Sequence, residues 1–277
     1  MTESAVIVAP VLDVRFWDGM QDRTQDFALL RETALEAGRL AMSFWRRPIV
    51  QERKADGSPV SEADKAIEKL LAVRLKDARP DYGWLSEESP DSAARLCARR
   101  VWIADPIDGT REFLRGGNDW TVALALVEDG APVLAAVTNP VRQEVFAAEA
   151  GKGATLNGEP IFVSGHKELA GARVSIGATS LKNGRLRQPW PGAVPVMAGS
   201  LIYRLALIAC GRADVSFALN PKWEWDIAAG ALLVSEAGGT ITDATGAPLA
   251  FNSAEAKVKG FAAAPPELHG ALLRHLS

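Results

Sequence analysis

Five acidic residues stand beside apolar segments, where charge is expensive. Glu87 and Glu88 follow Gly83-Trp84-Leu85, Asp105 and Asp108 close the run Val101-Trp102-Ile103-Ala104, and Asp226 follows Trp223-Glu224-Trp225. Carboxylates at the exits of buried segments repel one another and lose hydration. Taken singly, Asp108 and Asp226 also suit helix N-caps, and Glu87 a solvated loop. Taken together, they suit hard divalent cations, which take oxygen ligands and neutralise clustered negative charge. In Asp105-Pro106-Ile107-Asp108-Gly109-Thr110, the proline stiffens the exit and keeps Asp105 extended. The two carboxylates and the Ile107 carbonyl can then converge on one point, and Gly109 permits a tight bend. The Gly109 and Thr110 amides fall at the start of a helix, where phosphate is favoured. Metals beside an anion-binding helix end imply phosphoryl chemistry.

The elements that must position these groups are legible from periodicity. Apolar residues recur at helical spacing from about Asp26 to Trp45, and Ser61-Glu62-Ala63-Asp64 reads as a capping box opening a helix that ends near Ala78, before Pro80. TVALALV, APVLAAV and EVFAAEA read as strands, with turns at Glu128-Asp129-Gly130 and Asn139-Pro140 and a hairpin at Asn157-Gly158. Beyond about residue 170 follow a strand near 173–178, a helix over 201–211, and a helix over 226–237 ending at Gly238-Gly239. Strands near 239–243 and 259–263 and a last helix from Pro266 complete the chain. The expected division is an N-terminal extension (1–25), an α+β lobe with the metal site (26–168) and an α/β lobe completing the site (169–277), together a layered α/β sandwich.

Composition narrows the function. Of 277 residues, 48% are hydrophobic and 23% charged, and the net charge of -3 argues against a nucleic-acid polymer as partner. No apolar stretch approaches the roughly 20 residues of a membrane span. The start of the chain lacks the basic region of a signal peptide, so a cytoplasmic location is expected. The two cysteines, Cys97 and Cys210, form no metal motif. The three histidines lie late in the chain and no Gly-x-Ser-x-Gly elbow exists, which excludes the usual serine and cysteine nucleophiles. Gly151-Lys152-Gly153 lacks the end of a phosphate loop, and an EF-hand from Asp105 would need glutamate where Gly116 stands.

GWLSEES, WIADPIDGTREF and WEWDIAAGALLVSEAGG resemble, in order and spacing, the three signature blocks of the inositol monophosphatase superfamily, magnesium-dependent and lithium-sensitive phosphomonoesterases. The resemblance covers nearly the whole chain beyond about residue 26. It implies the αβαβα sandwich shared with fructose-1,6-bisphosphatase, a homodimer, and hydrolysis by metal-activated water without a phosphoenzyme. It also implies that Glu87, Asp105 and the Ile107 carbonyl hold a first magnesium ion and that Asp105, Asp108 and Asp226 hold a second, with Glu87 reaching a third, looser one. Thr110 and Glu87 would orient the water, Asp64 would bond the Thr110 hydroxyl, and Asp108 with the Gly109 and Thr110 amides would face the phosphate. The loop RKADGSPV matches a mobile segment that closes over the site.

For the substrate, a small phosphorylated metabolite, the resemblance divides. Inositol-specific members carry an acidic residue in the segment corresponding to Val215–Lys222, which here has none. KADGSPV, DGTREF, Gly199-Ser200-Leu201 and the block at Asp226 look more like the 3'(2'),5'-bisphosphate nucleotidase branch. There Gly199, Ser200, Leu201, Lys222 and Asp226 would contact the substrate, with Phe217 or Trp223 stacking a base and Lys222 meeting a second phosphate. The expectation is therefore adenosine 3',5'-bisphosphate, with inositol 1-phosphate as the alternative. Histidinol phosphate, or a binding protein without turnover, stands further back.

Overall fold

The computed structural model describes residues 14–55, 57–176, 190 and 192–276, with side chains from residue 23 onward. Five layers alternate helix and sheet. The outer helices are α1 (Val14–Phe44) and α2 (Glu62–Ala78), joined by a hairpin of β1 (Gln51–Arg53) and β2 (Pro59–Ser61). They cover one face of a seven-stranded sheet ordered β3 (Gly83–Ser86), β4 (Arg100–Asp108), β5 (Thr121–Glu128), β6 (Ala131–Asn139), β7 (Glu144–Glu149), β8 (Gly153–Leu156) and β9 (Glu159–Ile161). Within this sheet only β3 and β4 pair in parallel. A five-residue helix, α3 (Thr110–Leu114), follows β4.

Both faces of this sheet are buried, which explains its continuous apolar runs. Trp102 and Ala104 of β4, with Val122, Leu124 and Leu126 of β5, pack toward α1 and α2. Val101, Ile103, Ala123, Ala125 and Val127 pack the other way. There they meet the middle layer, α4 (Leu201–Ala209) and α5 (Ala228–Glu236). These helices are apolar nearly all round because a second sheet covers them from behind. That sheet runs β11 (Val194–Met197), β10 (Arg173–Ile176), β12 (Val215–Ala218), β16 (Phe261–Ala264), β14 (Thr240–Thr242). The last helix, α6 (Pro266–Leu276), seals its outer face through Leu268 and Leu272. A short pair, β13 (Lys222–Trp223) with β15 (Lys257–Val258), stands apart.

The layered α/β sandwich is as expected; several boundaries differ. Helix α1 begins at Val14, reaching twelve residues into the stretch read as an extension, while residues 1–13 lie outside the described residues. The strand expected near 173–178 ends at Ile176, and its last two positions are likewise outside. The helix expected from Asp226 begins at Ala228, after a turn in which the amides of Ile227 and Ala228 bond the Glu224 carbonyl. Strands β12 and β13 were not anticipated; they flank Asn220-Pro221, turn residues that break any apolar period between Val215 and Trp223.

Candidate active site

The exit of β4 contains the device that gathers the acids. Residues three apart on an unbroken strand face opposite sides, so Asp105 and Asp108 would diverge. Here Asp105 pairs with Ala123 and Asp108 with Thr121, a one-residue register shift that returns both carboxylates to one face. Pro106 has no N–H to offer the ladder and sits inside the bulge. Gly109 then turns the chain at φ +93°, with Asp119 O and Ser200 N each 3.3 Å from where a Cβ would stand.

Asp105, Asp108 and Asp226 each place a carboxylate oxygen within 4.8 Å of the others. Asp105 is 1% exposed, and neither of its oxygens receives a hydrogen bond. A buried carboxylate without donors is a large desolvation penalty awaiting a counter-charge. Burial, then Glu87, Asp108 and Asp226, push its pKa well above the carboxylate range. Asp226 is pushed up to about 8 by desolvation and by Asp108 and Glu87, partly offset by Lys222. Oxygen-only donors with unmet charge fit a hard divalent cation, as magnesium requires.

Asp108 is better provided for. Its Oδ2 accepts Ser200 Oγ and the Ile202 amide, each at 2.5 Å, and Ser200 also caps α4 through the Tyr203 amide. Ser200 and Leu201, expected to touch substrate, are buried instead; Ser200 orients Asp108, and Gly199 alone of the three lines the cavity. Asp64 serves the capping box, accepting the Ser61 amide at 2.7 Å and hydroxyl at 2.6 Å. Thr110 Oγ1 lies 3.5 Å from Asp64, the long limit of a bond, and donates to the Ile107 carbonyl at 3.1 Å. Glu87 and Glu88 share the Lys54 ammonium at 2.7 and 2.6 Å, so the hairpin loop reaches the acidic cluster. Asp56 of that loop lies outside the described residues.

A cavity of about 660 Å³ opens onto the cluster, lined also by Ser58, Pro59, Lys222, Trp223 and Trp225. Phe217, expected to stack a base, packs on Trp190 at 6.2 Å beside α6 and does not line the cavity. Trp223 does, stacked on Trp225 at 4.7 Å. Sequence reasoning missed Arg204 and Glu112, both in the wall. Arg204 donates to the Ala198 carbonyl at 3.0 Å, and burial lowers its pKa against the pull of Asp108 and Asp226. No spacing signal could have shown Arg204, which α4 brings to the acids only in the folded chain, whereas Glu112 stands within the block WIADPIDGTREF. Lys54 was discoverable: it is one of two adjacent cations, with Arg53, in the segment expected to close over acids.

Asp105 without donors, within reach of Asp108 and Asp226 and close to a helix start, is an arrangement that can hold a divalent cation beside a phosphate. The chain belongs to the inositol monophosphatase family, whose profile matches residues 22–277. It is thus a phosphoric monoester hydrolase by family. It is 38% identical over 207 residues to the Nus factor SuhB of Xylella fastidiosa, covering 72% of this chain and 73% of that one. With the inositol-1-monophosphatase of Rhizobium meliloti it shares 38% over 201 residues, 70% and 75% of the two chains. The crystal structure of the extragenic suppressor protein SuhB from Bartonella henselae superposes with a TM-score of 0.80 at 30% identity, covering 90% of this chain and 97% of that one. No described helix is long and apolar enough to cross a membrane.

Proposed function

We propose that the chain hydrolyses the phosphate monoester of a small polyol, with inositol 1-phosphate as its representative substrate. The observation that carries the metal-dependent part is Asp105, buried without a donor and joined within 4.8 Å by Asp108 and Asp226. Glu87, Asp105, the Ile107 carbonyl, Asp108 and Asp226 would hold magnesium. When bound, the metal supplies charge neutralisation and an acidified water. The chain's own groups do the rest. The Gly109 and Thr110 amides hold phosphate oxygens, and Thr110, tethered to the Ile107 carbonyl, orients the attacking water together with Glu87. Asp226, Gly199 and Lys222, which line the same cavity, would face the alcohol. A homodimer and inhibition by lithium belong to the same reading.

The relatives named inositol monophosphatases favour the polyol ester, and the withdrawal of Phe217 removes one of two base-stacking candidates. A second reading, adenosine 3',5'-bisphosphate, is favoured by Lys222 and the stacked Trp223 and Trp225 in the wall. Phosphate release from inositol 1-phosphate, adenosine 3',5'-bisphosphate and histidinol phosphate at equal magnesium decides. The polyol reading expects inositol 1-phosphate to be turned over fastest. Exclusive turnover of the bisphosphate transfers the site to the second reading. No release from any ester overturns both and leaves a binding role.

A further inference from the structure

Helix α2 carries two acids one turn apart on its buried stripe, among Ala63, Ile67 and Leu71. The first, Asp64, holds Ser61. The second, Glu68, is 9% exposed and takes no part in the cation cluster. Its Oε2 accepts Ser86 Oγ at 2.6 Å, and its Oε1 accepts Ser89 Oγ and, at 3.3 Å, Trp84 Nε1. Trp84 Nε1 also donates to Ser89 Oγ at 2.9 Å, closing the network. Ser86 and Ser89 stand on either side of Glu87 and Glu88, so one carboxylate holds the loop at both flanks of the acidic pair. The β3–β4 ladder fades here, its last bond from the Glu87 amide to the Ala104 carbonyl stretched to 3.4 Å. Past that point Glu68 replaces the backbone as the tether.

We infer that Glu68 is the positioning residue of the cation site: by holding Ser86 and Ser89 it aims Glu87 at Asp105 and so sets the affinity for divalent cations. It touches neither cation nor substrate. The inference rests on the metal-dependent reading above. Supporting groups of this kind change metal affinity by about 10- to 100-fold when removed. A leucine on this apolar helix stripe would pack at less desolvation cost than Glu68, whose burial is offset by the donors of Trp84, Ser86 and Ser89.

Calorimetric titration of the purified full chain with magnesium tests it, alongside melting temperature. Glu68→Ala should weaken magnesium binding about tenfold or more. Ser86→Ala, which empties little volume, should weaken it several-fold with the melting temperature near wild type. Glu68→Gln, which keeps an acceptor, should recover part of the affinity, and saturating magnesium should restore kcat while the magnesium requirement stays raised. The control is Ile67→Val on the same stripe, which lowers the melting temperature and leaves magnesium affinity unchanged. Wild-type affinity in Ser86→Ala and Glu68→Gln, or an equal loss in the control, overturns the inference. Failure of the wild-type chain to bind magnesium overturns instead the reading on which it rests.

Discussion

Strand β4 has a buried carboxylate at each end, and the two could hardly be treated more differently. At its start Asp26, 0% exposed, receives Arg79 Nε at 2.6 Å and the Tyr82 hydroxyl at 2.7 Å, with Arg100 Nη1 at 3.6 Å. Arg100 continues to Glu128 at 2.7 Å, and Glu128 to Arg23 at 3.2 Å. At its end Asp105, equally buried, has no donor and four acidic neighbours, Glu87, Asp108, Asp226 and Asp64. The first charge is balanced from within the chain and belongs to the architecture. The second is left for something outside the chain to balance, and that imbalance marks a binding site more clearly than burial does.

Substitution should break this symmetry in opposite directions. Asp105→Asn and Asp226→Asn should lower phosphatase activity on the order of a thousandfold, about 4 kcal/mol of barrier. Because each removes repulsion, the metal-free melting temperature should hold or rise. Asp26→Asn should do the reverse, losing about 3–5 kcal/mol of stability as a broken buried pair does. Its activity per folded molecule should stay at wild type. Denaturant titration with parallel assays separates the two patterns, and a destabilised Asp105→Asn would erase the distinction.

The pH dependence sharpens the contrast. Asp226, raised from 3.8 to about 8, keeps a proton in the folded chain where the unfolded chain has lost it. Its contribution to metal-free stability is therefore full below the unfolded value and is lost as pH rises through about 8. Melting temperatures in chelator should fall over that window, and saturating magnesium should flatten the slope because it replaces the protons.

Smaller effects follow from the supports. Ser200→Ala removes one of the two donors to Asp108 Oδ2 and should weaken magnesium binding about tenfold, readable by calorimetry. Lys54→Met removes the ammonium that occupies Glu87 and Glu88. It should strengthen magnesium binding about threefold, the scale of a part-exposed ion pair. Weaker binding would mean that Lys54 assists the cation rather than competing with it.

The acidic blocks were legible because their spacing is local. Asp105 and Asp108 lie within one turn of chain, and proline and glycine between and after them announce the bulge and bend. The helices and long strands were legible for a similar reason, since an apolar stripe repeats over many residues. What escaped is interrupted or distant in sequence. Strands β12 and β13 flank the turn residues Asn220-Pro221, and Ser200 reaches Asp108 across 92 positions. Phe217 illustrates the opposite error: an aromatic near the substrate segment invited a binding role, yet its strand turns it onto Trp190.

By itself, the order of residues determined the reaction class, because cation chemistry needs several carboxylates and the chain concentrates them at three apolar exits. It also determined the alternation of helix and sheet, through periodicities that any folded form must bury. Only the tertiary structure decided which acids are left without donors, which serine orients Asp108, and which glutamate tethers the loop of Glu87. Those outcomes depend on where a hydroxyl or amide from a remote element arrives, and packing, not local sequence, sets that position.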